Sequence, residues 1–317
     1  MRVLVSASCI SVFLYTCVSQ VLQYTVPGGK RNRGLAVSQA YQKIVKADQL
    51  TSENLRKAHI MGWAVEMLHA SLLVAQDALD GAQKRRGKTS WPVHSKLGLR
   101  AANDATLLET GLYQLLKLHF RDHPCYLEFL ELFHDVTHKA IMGQVLDIQA
   151  RGDATLSMFT MERYQAIVKY KVAYYTFQLP AGIRDNEPHR QAKNILMEMG
   201  QIFQVQQDYM DCYGDPGALG HEISDIEAGR CSWLSVVALQ RASPSQRAFM
   251  QECYGQRDAD KVKKVKKLYS ELALPATYRT YEEQSYELLC RQIQQTTRGL
   301  PQDLFFKILD STYVRQK

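Results

Sequence analysis

The chain has little cysteine and makes no pattern with what it has. Its seven cysteines, at 9, 17, 125, 212, 231, 253 and 290, are odd in number and widely spread, with no CxxC and no Cys/His cluster at zinc spacing. That excludes a disulfide scaffold and a zinc module, and suits a reduced cytosolic chain. Eighteen Gly and nine Pro in 317 residues are too few for a collagenous or low-complexity protein. No fixed-period repeat marks a solenoid. Strand signals are also missing: no alternating run rich in β-branched residues is bounded by hairpin turns.

What is present can build a core. With 46% hydrophobic and 22% charged residues, the chain suits one large domain or two ordinary ones. The net charge of +7 would fit nucleic acid, an acidic membrane surface or a phosphorylated small molecule. The clearest basic run, Lys261 to Lys267, is interleaved with Val262 and Val265 at helical spacing and reads as a solvated helix face, so nucleic acid is not expected. Met1-Arg2 and the apolar stretch Val3 to Val18 resemble a short signal peptide, but polar interruptions make a stable membrane span unexpected. Residues 1–20 are set apart as an atypical amino-terminal segment, with one domain expected over 21–317.

After Gly34 the spacing predicts helices almost throughout. Ser52 is placed to cap a long one, carrying Leu55, Ala58, Met61, Val65, Leu68, Leu72 and Ala75 at intervals of three or four. Others are predicted over 101–119, 126–150, 161–179, 189–213, 231–241, 245–253, 258–272, 278–296 and 303–314. The expectation is an all-α bundle of about ten helices.

Two of these helices share a layout. Gln76-Asp77-Ala78-Leu79-Asp80 is followed by Lys84-Arg85-Arg86-Gly87, and Gln207-Asp208-Tyr209-Met210-Asp211 by Gly214-Asp215-Pro216. Carboxylates three or four apart lie on one helix face and can share a divalent cation, which Mg²⁺ suits through its preference for oxygen ligands. Arginines offer forked donors to phosphate oxygens. Taken singly, each acidic pair is better read as a solvated helix end.

In combination they resemble the two aspartate-rich motifs of the trans-prenyltransferases, and more closely the farnesyl diphosphate synthases of animals. The resemblance runs through Val21-Leu22-Gln23-Tyr24, Gly28-Gly29-Lys30-Arg31-Asn32-Arg33-Gly34, Gly62-Trp63, Ala102-Asn103-Asp104 and Gly143-Gln144-Val145-Leu146-Asp147. It continues through Ile167-Val168-Lys169-Tyr170-Lys171, Phe203-Gln204-Val205-Gln206, Cys231-Ser232-Trp233 and Tyr281-Glu282-Glu283. It implies an isoprenoid synthase helical bundle around a central diphosphate-binding cavity, a cytoplasmic homodimer, and Mg²⁺-dependent joining of an allylic diphosphate to isopentenyl diphosphate. By the same resemblance, Lys30, Arg33, His69 and Arg86 would hold isopentenyl diphosphate. Arg85 and Lys171 would hold the allylic diphosphate and act in catalysis, with Gln204, His221 and Arg230 bordering substrate. Asp77, Asp80, Asp208, Asp211 and Asp225 would serve the metal.

The chain departs from that family where the chemistry is most exacting. Both motifs are DDxxD in the family, and here Gln76 and Gln207 replace the leading aspartates, exchanging an anionic oxygen for an amide carbonyl. His69 stands at the position of an isopentenyl-site Gln, His221 and Arg230 at lysines, and Val172 at a Thr. Ser71 and Leu72 replace the aromatics that floor the chain-length pocket. About two helical turns are missing after Pro180, so exposed apolar neighbours are expected there. These departures leave three readings: a weakened or altered synthase, an enzyme that ionises a prenyl diphosphate in the manner of a terpene synthase, and a catalytically silent binding paralogue.

Overall fold

A computed structural model describes residues 9–151, 156–183, 189–214, 224–295 and 301–313. Among these residues thirteen α-helices, two short 3₁₀ turns, one π-helical stretch and one minimal hairpin make up the regular structure, and the chain divides into two compact units. His221 and the loop 215–220 lie outside the described residues.

The first unit holds α1 (Cys9–Thr25), most of α2 (Asn32–Ile44), α3 (Ser52–Asp80), the hairpin β1–β2 (Lys84–Arg85 and Lys88–Thr89), α4 (Trp91–His94), α5 (Ala102–Phe120) and the start of α6 (Tyr126–Arg151). Helix α3 is its axis. Thr51, rather than Ser52, is the N-cap, its hydroxyl accepting from the Asn54 backbone N–H at 3.2 Å. Gly81 closes the other end in the left-handed conformation. Helix α3 is also, among the described residues, the one helix long and apolar enough to cross a membrane, but much of it is packed inside its unit against α5. Its buried face carries Val65, Leu68 and Val74, and α5 returns Leu108, Leu112 and Leu116. Helix α1 is continuous across the boundary expected between residues 20 and 21, and Val21 on it is buried.

Helix α2 meets α3 backbone to backbone. A Cβ on Gly62 would lie 2.5 Å from the Gly34 carbonyl oxygen, and one on Gly34 would lie 2.9 Å from that of Gly62. Neither contact admits a side chain.

The second unit holds the rest of α6, then α7 (Met161–Val168), a π-helical stretch Lys169–Gln178, α8 (Arg190–Tyr213), α9 (Trp233–Arg241), α10 (Pro244–Cys253), α11 (Ala259–Glu271), α12 (Leu274–Gln295) and α13 (Gln302–Tyr313). The uninterrupted helix predicted over 161–179 therefore changes register at Lys169 to i→i+5 bonding. Gly143 on α6 makes room for that change, since a side chain there would collide with the Lys171 backbone. Helix α11 confirms the solvated basic face: Val265 and Leu268 are buried, while Lys263, Lys264 and Lys267 are exposed.

Among the described residues, the connection after Pro180 does not leave the expected exposed apolar surface. Leu179, Ala181 and Ile183 are buried, and the last two join Ile195, Leu196 and Met199 of α8 and Leu289, Phe305 and Leu309 of α12 and α13 in one cluster. Gly182 turns the chain with a φ of 65°, and the Gln178 side-chain amide donates to the Ile183 carbonyl at 2.9 Å. The described stretch of the shortened connection thus folds its apolar residues inward.

Replacing Gly62 by Ala is expected to force α2 away from α3 and to lower stability by about 1–3 kcal/mol. A urea midpoint equal to that of the unchanged chain would show that the two helices can separate at no cost.

Candidate active site

The basic residues of the first unit converge although they are distant in sequence. Arg33 begins α2, His69 lies mid-way along α3, and Arg86 sits in the hairpin turn. Arg86 and Gly87 both adopt positive φ, 54° and 72°, between the paired residues Arg85 and Lys88, which is the two-residue turn that matches strand twist. Gly87 takes that conformation freely and Arg86 takes it under strain, a combination common where a side chain is being aimed. The Arg86 guanidinium donates to the Gly28 carbonyl and fills the space a Cβ on Gly29 would need, 2.7 Å from its central carbon. The Gly28-Gly29 pair therefore exists to let that guanidinium approach the backbone.

His69 lies between the two arginines. Its Nε2 is 3.3 Å from Arg33 Nη1 and 3.2 Å from Arg86 Nη2. Guanidinium nitrogens only donate, so Nε2 accepts both bonds and the imidazole proton resides on Nδ1. Burial, then the charges of Arg33, Arg86 and Arg85, hold this imidazole well below its ordinary value, so it is neutral at pH 7. Lys30, expected beside them, is exposed.

The two retained aspartates of the first motif have different surroundings. Asp77 is buried and accepts from Arg85 Nε through both oxygens, at 3.0 and 3.2 Å, with a further bond from Arg85 Nη2. Asp80, one turn beyond Gln76, accepts from the Gln76 side-chain amide at 3.3 Å. Gln76 and Asp80 thus share a face, and Asp77 points to the hairpin. Nearby, Ser71 is buried with its hydroxyl donating to the Leu68 carbonyl at 2.8 Å, and Leu72 is half-buried.

The second motif, inside its own unit, buries both of its aspartates. Gln207 is exposed, while Asp208 is buried and accepts from the Gln204 amide at 2.7 Å and from the Trp233 backbone N–H at 2.8 Å, at the start of α9. Asp211 accepts from the Asp225 backbone N–H at 2.7 Å, and Asp225 accepts from Arg230 Nη1 at 2.8 Å. Burial and the neighbouring Asp225 charge push both Asp208 and Asp211 above the usual carboxylate range. Among the described residues, no three His, Cys, Asp or Glu side chains stand close enough to ligate one ion.

Lys171 is held by a residue that sequence reasoning did not place in the site. Its Nζ donates to Asp147 Oδ2 at 2.7 Å, and Arg151 bonds the same oxygen. Burial alone would raise the Asp147 carboxyl, but the charges of Lys171 and Arg151 outweigh it and hold the carboxyl well below its ordinary range. The signal was available: Asp147 and Arg151 are four apart on one helix. Val172, next along, packs against the apolar core of this unit.

The profile of the polyprenyl synthetase family matches residues 15–272. The chain belongs to the polyprenyl synthetase family. Within the family it is 45% identical over 311 residues to the farnesyl pyrophosphate synthase of Nezara viridula, covering 96% of this chain and 77% of that relative. It is 44% identical over 311 residues to the Bos taurus farnesyl pyrophosphate synthase, covering 95% of this chain and 88% of the relative. Among solved structures, the T. brucei farnesyl diphosphate synthase complexed with risedronate superposes with a TM-score of 0.86 at 30% identity, covering 96% of this chain and 90% of that one. The all-α isoprenoid synthase fold expected from the sequence is that of this polyprenyl synthetase.

A neutral buried histidine carries a defined pH dependence. The unfolded chain protonates His69 below about pH 6.5 and the folded chain does not, so the folded state loses stability as pH falls through that value, by at most about 1.4 kcal/mol per unit. His69→Gln is expected to shrink the decline in urea stability between pH 7 and pH 5. Parallel declines in both proteins would place the His69 proton elsewhere.

Proposed function

We propose that the chain is a prenyltransferase of the farnesyl diphosphate synthase kind. It condenses isopentenyl diphosphate with dimethylallyl or geranyl diphosphate, and Gln76 and Gln207 weaken or alter that activity. The observation that carries this reading is the convergence of Arg33 and Arg86 on His69 beside the Gly28-Gly29 loop, which brings together two forked donors suited to a diphosphate. Near-full-length identity to farnesyl pyrophosphate synthases supports it.

In this reading Arg33, His69 and Arg86, with the exposed Lys30, bind the diphosphate of isopentenyl diphosphate. Arg85 and Lys171 each serve the allylic diphosphate, and Gln204, Arg230 and His221 border substrate. Burial lowers the Lys171 ammonium from its ordinary value, and Asp147 opposes that shift and fixes the direction in which Nζ points. Ser71 and Leu72 set the room for the growing chain.

The donors present suit a hard dication, though thinly. Asp77 is committed to Arg85, and Asp208 to Gln204 and the Trp233 N–H, so the carboxylates best placed to ligate are Asp80 beside Gln76 and Asp211 beside Asp225. Mg²⁺ held by Asp80 with Asp77 in support in the first unit, and Mg²⁺ held by Asp211 with Asp208 and Asp225 in support in the second, each set proposed on its own, would supply positive charge against a departing diphosphate. The two amides stand on the exposed or half-exposed positions of their motifs, and each offers a carbonyl where a carboxylate would offer an anionic oxygen. That favours low metal affinity, and it is also the observation behind a second reading, a silent paralogue that binds prenyl diphosphates without turnover. A cytoplasmic location and a homodimer are proposed with the function; the described cysteines Cys17, Cys125, Cys212, Cys231, Cys253 and Cys290 are free thiols, as a reducing compartment would keep them.

The deciding assay supplies labelled isopentenyl diphosphate and geranyl diphosphate across a Mg²⁺ series and measures chain-extended product and released diphosphate. Extension is the expected result. Diphosphate release without extension would replace this reading with an ionising terpene synthase, and neither signal from folded protein would replace it with the silent paralogue. In the same assay, Gln76→Asp with Gln207→Asp is expected to lower the Mg²⁺ needed by about 10–100-fold.

A further inference from the structure

We propose that His69 is a proton-coupled member of the anion site: it takes up one proton from solvent when a diphosphate group binds at Arg33 and Arg86. The inference rests on the anion-binding role assigned to that cluster and goes beyond it by naming what the histidine does.

The geometry poses the problem and its solution. In the structure Nε2 is an acceptor for two guanidinium donors. Such a lone pair faces any arriving phosphate oxygen as one acceptor facing another, and contributes nothing to binding it. Protonation at Nε2 reverses that role. The imidazolium N–H becomes a donor, the Arg33 and Arg86 N–H groups are released to the phosphate oxygens, and three charge-assisted bonds replace two bonds made to a neutral ring.

The surrounding charges show why the proton comes with the anion and not before it. Arg33 from α2, Arg86 and Arg85 from the hairpin, and burial all oppose an imidazolium in the empty cluster. On the acidic side stand Glu66, which accepts from the Gly34 backbone N–H at 2.8 Å, and Asp77, which is held by Arg85. Three guanidiniums against two carboxylates leave the cluster positive. A diphosphate brings at least two negative charges into the same low-dielectric space and turns the balance in favour of the imidazolium. A Gln at this position, as the resembled family carries, has no proton to gain, so the coupling is peculiar to the substitution.

Proton uptake can be counted directly. Inorganic pyrophosphate is titrated calorimetrically into the full chain at pH 7.5 in buffers of different ionisation enthalpy, and into His69→Gln in parallel. Protons that pyrophosphate itself exchanges appear in both proteins and cancel in the difference. The expected result is that the unchanged chain takes up as much as one more proton than His69→Gln, and that its affinity weakens by up to about tenfold more per pH unit as pH rises. Equal proton counts would overturn the proposal and leave the anion site standing. No pyrophosphate binding, or binding untouched by Arg86→Ala, would overturn both. The histidine Cε1–H resonances of the unchanged chain give the same answer without a variant: one should titrate at higher pH once pyrophosphate is added, and a spectrum in which none does would refute the coupling.

Discussion

Burying charge is the constraint on which both units depend. A carboxylate removed from water must find donors, and each one buried here has them: Asp77 has the Arg85 fork, Asp147 has Lys171 and Arg151, and Asp208 has an amide and a helix N-terminal N–H. These partners decide where the neighbouring bases point. Arg85 is fixed on Asp77, which leaves the next residue, Arg86, at the head of the turn and reaching back to Gly28. Lys171 is fixed on Asp147 only because the helix carrying it changes to π register where Gly143 yields room. Electrostatic pairing and backbone clearance are thus one arrangement, in which glycine supplies the proximity and the carboxylate holds the base that proximity admits.

The long helices were legible because apolar residues at intervals of three and four survive any local detail. Helices predicted over 101–119 and 126–150 run in the structure over Ala102–Phe120 and Tyr126–Arg151. The π-helical stretch was invisible for the same reason: a change in hydrogen-bond register leaves the apolar spacing helical to the eye. Strands of two residues, Lys84–Arg85 and Lys88–Thr89, are too short to show alternation. Helix α2 carries few buried side chains, since its contact with α3 is made by glycine backbone, and such a contact leaves no hydrophobic stripe to read.

The site was legible in its parts and not in its pairings. Sequence reasoning named Arg33, His69 and Arg86, but residues 36 and 17 positions apart reveal their contact only in three dimensions. It treated the retained aspartates of each motif alike, because i and i+3 share a helix face at low resolution. The structure separates them in the first motif, where Asp77 is held by Arg85 and Asp80 pairs with Gln76, while in the second both Asp208 and Asp211 are buried acceptors; Gln76 and Gln207 are less buried than the aspartates that directly follow them. Membership of the polyprenyl synthetase family was carried by the ordered motifs and did not need any of this.

Ser71 shows how misleading a residue name can be when its polar atom is already engaged. Its hydroxyl hydrogen is given to the Leu68 carbonyl within its own helix, as serine hydroxyls in helices commonly do. Toward its surroundings it therefore presents a methylene and a spent oxygen, close in character to alanine. Under the proposed chain-length role, an engineer seeking to admit a longer hydrocarbon at position 71 would begin with a side chain that is already small, already apolar in effect, and held in one rotamer by its own backbone.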